Sequence, residues 1–117
     1  MSLFTKIIHH EIPANRVYED EHTLAIHDID PQAPVHLLVI PKREIVDFQS
    51  LDSETMGHLL HAVQQVAIKM GLDKSGYRVV VNNGTDAGQE VAHVHLHILG
   101  GAKLGHVHHT DRTHKDS

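Results

Sequence analysis

The chain has 117 residues, 40% hydrophobic and 21% charged, which predicts a single globular domain. The absence of cysteine excludes disulfides and cysteine-ligated zinc, and a formal net charge of −5 excludes the basic surface typical of duplex nucleic-acid binders. The first residues lack a basic segment followed by a hydrophobic stretch, and no apolar run is long enough to span a membrane, so we expect a cytoplasmic protein. Histidine is the unusual component, with 14 residues against 15 Asp and Glu.

The predicted elements are two helices and several short strands. Phe4 and Ile7 stand at helical spacing and predict a short first helix that ends before Pro13. A long helix is predicted between Asp52, a good N-cap, and Gly71, because apolar residues recur between them on one face. Strands are predicted over residues 16–19, 23–28, 36–40, 77–82 and 93–99. This order is typical of an α+β domain with antiparallel strands, and its open sheet edge predicts a homodimer.

The strongest motif is the alternating run over residues 93–99. His93, His95 and His97 are separated by apolar residues, and alternate residues of a strand face one side, so we expect three imidazoles on one face. One chemistry that uses such a row is metal binding, with His36 or Glu90 as a third ligand for zinc or iron.

The other chemistry is transfer of a phosphorus group through a histidine nucleophile. Neutral imidazole attacks phosphorus near neutral pH, and neighbouring imidazoles can bond to the phosphate oxygens without any metal. The backbone N–H groups of residues 88–91 are expected to cradle these oxygens. The glycine motifs of P-loop and Rossmann nucleotide-binding proteins are absent from the sequence, which excludes those classes.

The run His-Val-His-Leu-His-Ile-Leu over residues 93–99 resembles the signature of the histidine-triad (HIT) family. Four further blocks resemble its Hint branch: residues 4–13, 25–36, 38–42 and 88–91. The resemblance implies a HIT domain over residues 1–101, followed by a His-rich C-terminal tail over residues 102–117. It also implies a five-stranded antiparallel sheet, with one long and one short helix, that dimerises into a continuous sheet.

The resemblance further implies a nucleotide-binding hydrolase that cleaves purine nucleoside phosphoramidates, in which AMP is linked to an amine or acyl group. In this family His95 would attack the α-phosphorus and become nucleotidylated. His97 would bond to the phosphate, and His93 and His36 would support the orientation and charge of the nucleophile. No cofactor or metal is required, and the partners would be an AMP-like purine nucleotide and a second copy of the chain, with no nucleic acid or membrane.

The resemblance also assigns nucleotide-binding residues. The phosphate side would comprise Asn82, Gly88, Gln89, Glu90 and Val91. Asp28 would hold the ribose hydroxyls, with His27 at the rim of the site. The walls of the base pocket would be Leu3, Phe4, Ile7, Ile26 and Ile29.

Two departures and two alternatives accompany this interpretation. Glu90 stands where some relatives carry serine, which leaves its contact with phosphate open. His97 stands where the family's nucleotidyl transferases carry glutamine, which favours water as the acceptor. The alternatives are a dinucleoside polyphosphate hydrolase, which would use the same nucleophile, and a histidine-based metal-binding protein.

Overall fold

The computed structural model describes residues 1–107, and within them five strands form one antiparallel sheet in the order β1-β2-β3-β5-β4. The strands are β1 Arg16–Glu19, β2 Thr23–His27, β3 Val35–Pro41, β4 Tyr77–Val80 and β5 Leu96–Gly100. The helices are α1 Leu3–Ile8, α2 Ser53–Lys69 and the one-turn α3 Leu72–Ser75. Single 3₁₀ turns occupy Phe48–Ser50 and Thr85–Ala87. The expected five-stranded α+β fold is confirmed.

The tail prediction falls mainly outside this range. Residues 108–117, including His108, His109 and His114, lie beyond the described residues. At the start of the tail, the Gly105 carbonyl accepts a hydrogen bond from Arg78 on β4 at 2.7 Å. None of the helices within residues 1–107 has the length and apolar character that crossing a membrane requires.

The long helix α2 forms where its capping residues predict. Asp52 is the N-cap and accepts a hydrogen bond from the Thr55 backbone N–H, and Gly71 follows the helix with φ at 74°, a left-handed conformation that suits glycine. Leu59 and Val66 on the apolar face of this helix are fully buried and pack into the core against the sheet. The helix lies across β1, β2 and β3.

Alternation along β3 divides its side chains between two cores. Leu37 and Val39 face α2, whereas Leu38 and Ile40 pack with Phe4 of α1 on the opposite face. His36, two residues before Leu38, shares its face. The polar residue His36 therefore lies on the sheet face against which α1 packs, and the candidate site forms on this face.

The last strand begins later than the sequence predicts. β5 starts at Leu96, so His93 and His95 precede the strand. The reason is that the Val94 N–H donates to the Ile45 carbonyl at 2.7 Å and the His93 N–H donates to the Val91 carbonyl, which takes this segment away from the ladder. β4 is also shorter than the expected strand over residues 77–82, because its pairing with β5 stops at Val80, the partner of His97.

Candidate active site

A pocket of about 290 Å³ opens on the α1 face of the sheet. Eight of the residues that line it are predicted site residues, and the ninth is Leu38. The lining comprises Phe4, Asp28, Leu38, Asn82, Gly88, Glu90, Val91, His95 and His97. Antiparallel register explains part of this set, because His97 is paired with Leu38 and their side chains therefore share a face. Val80 of β4 is paired with His97 and lies on the same face.

His95 is held with one ring nitrogen directed at the backbone. Its Nδ1 lies 2.9 Å from the carbonyl oxygen of His93. A carbonyl only accepts hydrogen bonds, so Nδ1 carries the proton and the neutral ring has its free lone pair on Nε2. The ring of Phe4 meets the His95 ring edge-on, with centroids 4.9 Å apart, and fixes its tilt. The ring thus presents an unprotonated nitrogen, which is what a nucleophile requires.

His97 belongs to a chain of three hydrogen-bonded groups. The Gln32 backbone N–H donates to Nδ1 of His36 at 3.0 Å, so the neutral His36 ring carries its proton on Nε2. His36 Nε2 lies 2.9 Å from Nδ1 of His97, which must therefore accept. The proton of neutral His97 is left on Nε2, where it can donate to an oxygen in the pocket. One backbone amide thus determines two tautomers in succession.

His97 is also kept neutral by its surroundings. Burial, with the charges that His95 and His36 carry when protonated, lowers the pKa of His97 to about 4, against the opposing effect of Asp28. At neutral pH the His97 ring is therefore a hydrogen-bond donor without a positive charge.

His93 lies behind the pocket. Its side chain is fully buried, and Nε2 lies 2.8 Å from the Pro41 carbonyl. Burial lowers the pKa of His93, so this ring is neutral as well. The backbone carbonyl of His93, rather than its imidazole, contacts the ring of His95. His36 likewise contacts His97 and not His95.

The loop before the histidine row supplies only part of the expected amide cradle. The Gly88 N–H donates to the Thr85 carbonyl, and the Gln89 N–H donates to the Gly84 carbonyl, so both are engaged within the loop. The N–H groups of Glu90 and Val91 donate to no protein acceptor within residues 1–107. These two amides remain free to bind an anion.

The side chain of Gln89 holds this loop in place. It accepts from the Gly84 N–H and donates to the carbonyls of Val46 and Val91 at 2.8–3.0 Å. Gly88 lines the pocket with φ at 83°, a backbone conformation that residues with a Cβ rarely adopt. Gln89 is thus placed to shape the pocket, although its side chain does not line it.

Two carboxylates border the pocket. Asp28 directs one oxygen at the Asp30 N–H, 2.7 Å away, and the other lies 3.4 Å from Nε2 of His36. Glu90 is exposed. Among residues 1–107 one group has metal-ligand chemistry, and it joins Asp28 to His36 and His97, with ligand atoms within 4.8 Å of one another. The predicted set took its ligands from the histidine row with His36 or Glu90 as a third; the observed group keeps His97 and His36 and adds Asp28 in place of a second histidine of the row.

Besides Gln89, five of the predicted nucleotide-binding residues do not line the pocket. Ile7 and Ile26 are buried in the core below it, and His27 is paired with Leu37, on the face covered by α2. Ile29 is fully exposed in the loop after β2, and Leu3 is half-exposed beside a neighbouring depression. Their assigned roles remain predictions.

Several functional contacts were missed in the sequence. Leu38 could have been found from alternation with His36 along β3. Gln32 and Pro41 act through their backbone groups. Ser2 reaches the buried His93 across the fold, and Glu44 accepts from the Ser2 N–H. No local pattern identifies these contacts, because they join residues that are far apart in the chain.

Comparisons with known proteins agree with this geometry. A sequence model described as the HIT domain matches residues 9–104. An uncharacterized HIT-like protein of Synechococcus elongatus is 49% identical over 106 residues, which cover 88% of this chain and 92% of that protein.

Two solved structures are also similar. The crystal structure of a HIT family hydrolase from Legionella pneumophila has a TM-score of 0.86 and 44% identity, covering 90% of this chain and 96% of that one. A histidine triad nucleotide-binding protein from Candida albicans has a TM-score of 0.79 and 30% identity, covering 91% and 85% of the two chains.

Proposed function

This chain belongs to the HIT domain family, and we propose that it is a nucleotide-binding hydrolase of the Hint branch that cleaves purine nucleoside phosphoramidates. The reaction would pass through a nucleotidylated His95. The similar structures described as a HIT family hydrolase and as a nucleotide-binding protein support the general class.

The observation that carries the proposal is the complementary pair of rings in one pocket. His95 offers the lone pair of Nε2, whereas His97 offers the proton of Nε2. Attack on phosphorus needs both, a nucleophile on one side and a donor to the oxygens that gain charge. The free amides of Glu90 and Val91 would add donors. The pocket, at about 290 Å³, is near the lower end of the usual range for small-molecule sites.

The proposed reaction has two steps. In the first, Nε2 of His95 bonds to the α-phosphorus and the P–N bond breaks, with the amine leaving after its nitrogen has gained a proton from solvent. In the second, water attacks the phosphorus and the bond to Nε2 breaks, which releases the nucleoside monophosphate, returns a proton to solvent and restores the neutral ring. The His93 carbonyl oxygen, which accepts the hydrogen bond from Nδ1, stabilises the positive charge that the ring acquires.

The direct test is to trap the adduct. The protein is mixed with an adenylate linked to a fluorescent amine, quenched, digested and analysed by mass spectrometry, and we expect an added nucleotide on His95. The variant His95→Gly should bind AMP but release no amine. His61→Ala is the matched control, since His61 is an exposed histidine on α2. Undiminished turnover by His95→Gly would refute the mechanism.

Two further measurements test the alternatives, a dinucleoside polyphosphate hydrolase and a metal-binding protein. A higher kcat/KM on diadenosine polyphosphates than on the amine-linked adenylate would favour the polyphosphate hydrolase. Loss of activity on chelation, with a stoichiometric ion measured in the purified protein, would favour a metal centre at Asp28, His36 and His97. The hydrogen bond between the two rings argues for the metal-free mechanism, because it places a proton where an ion would need a lone pair.

We further propose that two copies pair through β4. This strand is an edge of the sheet, and Tyr77 and Val79 are 36% and 45% exposed. Val79 is paired with Ile98, so it lies on the sheet face against which α2 packs. Pairing would complete the open hydrogen bonds and cover these side chains. Light scattering should give a dimer, and Val79→Lys should shift it toward the monomer. An unchanged mass for the variant would contradict this interface. The cytoplasmic location stays a prediction.

A further inference from the structure

The N-terminal segment is tied to the most deeply buried histidine. Oγ of Ser2 lies 2.7 Å from Nδ1 of His93, a ring with no exposed surface. The other ring nitrogen, Nε2, lies 2.8 Å from the Pro41 carbonyl, which can only accept. Nε2 therefore carries the proton of the neutral ring, and Nδ1 must accept one. The Ser2 hydroxyl is the donor that faces it.

A carboxylate beside Ser2 determines which way this hydroxyl points. Glu44 Oε1 accepts from the hydroxyl of Thr5 at 2.6 Å and from the backbone N–H of Ser2 at 2.8 Å. The Thr5 N–H donates to Oγ of Ser2 at 3.0 Å, the N-cap bond of α1. Oγ1 of Thr5 lies 3.2 Å from Oγ of Ser2 and 3.5 Å from Nδ1 of His93. The Thr5 proton is directed to Glu44 at the much shorter distance of 2.6 Å. The donor to His93 is therefore Ser2, whose 2.7 Å contact is the shorter of its two possible bonds.

Two connections lead from His93 to the proposed nucleophile. The first is its own carbonyl, which accepts from Nδ1 of His95 at 2.9 Å. The second is Phe4, two residues after Ser2, whose ring lies edge-on to both histidines at centroid distances of 5.8 and 4.9 Å. Moving either Ser2 or the His93 ring would displace the groups that orient His95.

We propose that Ser2 is a positioning residue, whose hydroxyl holds His93 and thereby aligns the ring of His95 for attack. This inference rests on the proposed function, because alignment matters only if His95 is the nucleophile. Ser2 does not line the pocket, so its effect should appear in the rate of the chemical step and not in nucleotide affinity.

The kinetic test compares four proteins in single-turnover nucleotidylation of His95. Ser2→Ala removes both the hydroxyl and the cap, and we expect the rate to fall about tenfold or more, since small misplacements of reacting groups are costly. Affinity for AMP should stay within about twofold of wild type, because the substrate contacts are intact. Ser2→Thr keeps the hydroxyl and should restore most of the rate. Asp52→Ala removes the N-cap of α2, away from the site, and should leave the rate unchanged.

A second readout does not depend on activity. Nitrogen NMR of the histidine rings should show His93 as the Nε2–H tautomer, with Nδ1 accepting a hydrogen bond, in the wild type and in Ser2→Thr. In Ser2→Ala the Nδ1 signal of His93 should shift, and the signals of His95 should shift with it.

The outcomes separate the two proposals. If the wild type forms no adduct, the proposed function fails, and the NMR comparison still decides whether Ser2 orients the rings. Unchanged His95 signals in Ser2→Ala would overturn the positioning role. So would an equal loss of rate in Ser2→Thr and Ser2→Ala, or a comparable loss in Asp52→Ala, because each would show a cause other than the hydroxyl.

Discussion

Replacing His36 with leucine tests the hydrogen-bond chain that sets the tautomer of His97. His36 is 5% exposed, accepts from the Gln32 N–H and donates to Nδ1 of His97. Leucine has a similar volume but makes neither bond. Nδ1 of His97 then lacks a donor, and the ring is no longer restricted to the tautomer that carries its proton on Nε2.

The size of the effect follows from these contacts. A buried polar atom left without its partner costs about 1–3 kcal/mol, and about 1.4 kcal/mol corresponds to a tenfold change in rate. His97 is half-buried, so we expect the lower part of this range and a fall in kcat/KM of about tenfold. The positive charge that His36 can carry also lowers the pKa of His97, so its removal should move the acidic limb of the pH–rate profile upward.

The assay is hydrolysis of an adenylate with a fluorescent amine, measured between pH 4 and 8, with circular dichroism and thermal unfolding to verify the fold. His36→Gln is the matched control, because its amide can donate to His97 from a similar position, and it should retain most of the activity. If His36→Leu were folded and hydrolysed the substrate at the wild-type rate, the argument from the tautomer would be refuted.

Two further predictions concern stability. Burial lowers the pKa of His97 to about 4 from the ordinary 6.5, so between these pH values the unfolded chain binds a proton at His97 that the folded chain does not. The free energy of unfolding should therefore fall by up to about 3 kcal/mol as the pH decreases from about 6.5 to 4. Urea unfolding at a series of pH values should show this decline, and a flat profile would contradict the burial argument. Asp20→Ala should destabilise the protein by about 3 kcal/mol, because Asp20 accepts from Tyr18 and from both the N–H and the buried hydroxyl of Thr23. Asp20→Asn keeps one acceptor and should lose less in the same unfolding experiment.

The pKa of Asp20 provides an independent measurement on the same turn. Burial raises the pKa, but the hydrogen bonds from Thr23, Tyr18 and His22 outweigh it and hold the value at about 2. This carboxyl therefore contributes stability above its unfolded pKa, and the contribution is lost as the pH falls from about 3.8 to 2.

Local patterns were enough to predict α1, α2 and the five strands, although not the one-turn helix α3. Asp52 and Gly71 mark the ends of α2, and alternation predicts the strands, because capping and strand geometry involve residues only a few positions apart. The same alternation brought His97 to the pocket. It failed for the start of β5, where a contact of Val94 with the distant Ile45 replaces the ladder.

The resemblance to the HIT family identified residues that line the pocket more accurately than residues around it. Phe4 and Asp28 line the pocket as expected, whereas His27 lies on the opposite sheet face and Ile29 is fully exposed. A sequence pattern assigns a residue to a site, but strand register determines which side chains share its face.

By itself, the sequence determined an α+β fold in which a row of histidines meets a glycine-containing loop. Only the tertiary structure decided what each ring can do. The proton position of His97 depends on Gln32, and that of His93 depends on Pro41 and Ser2. The physical reason is that helix caps and strand alternation act over a few neighbouring residues, whereas burial and hydrogen-bond partners join residues that meet only after the chain has folded.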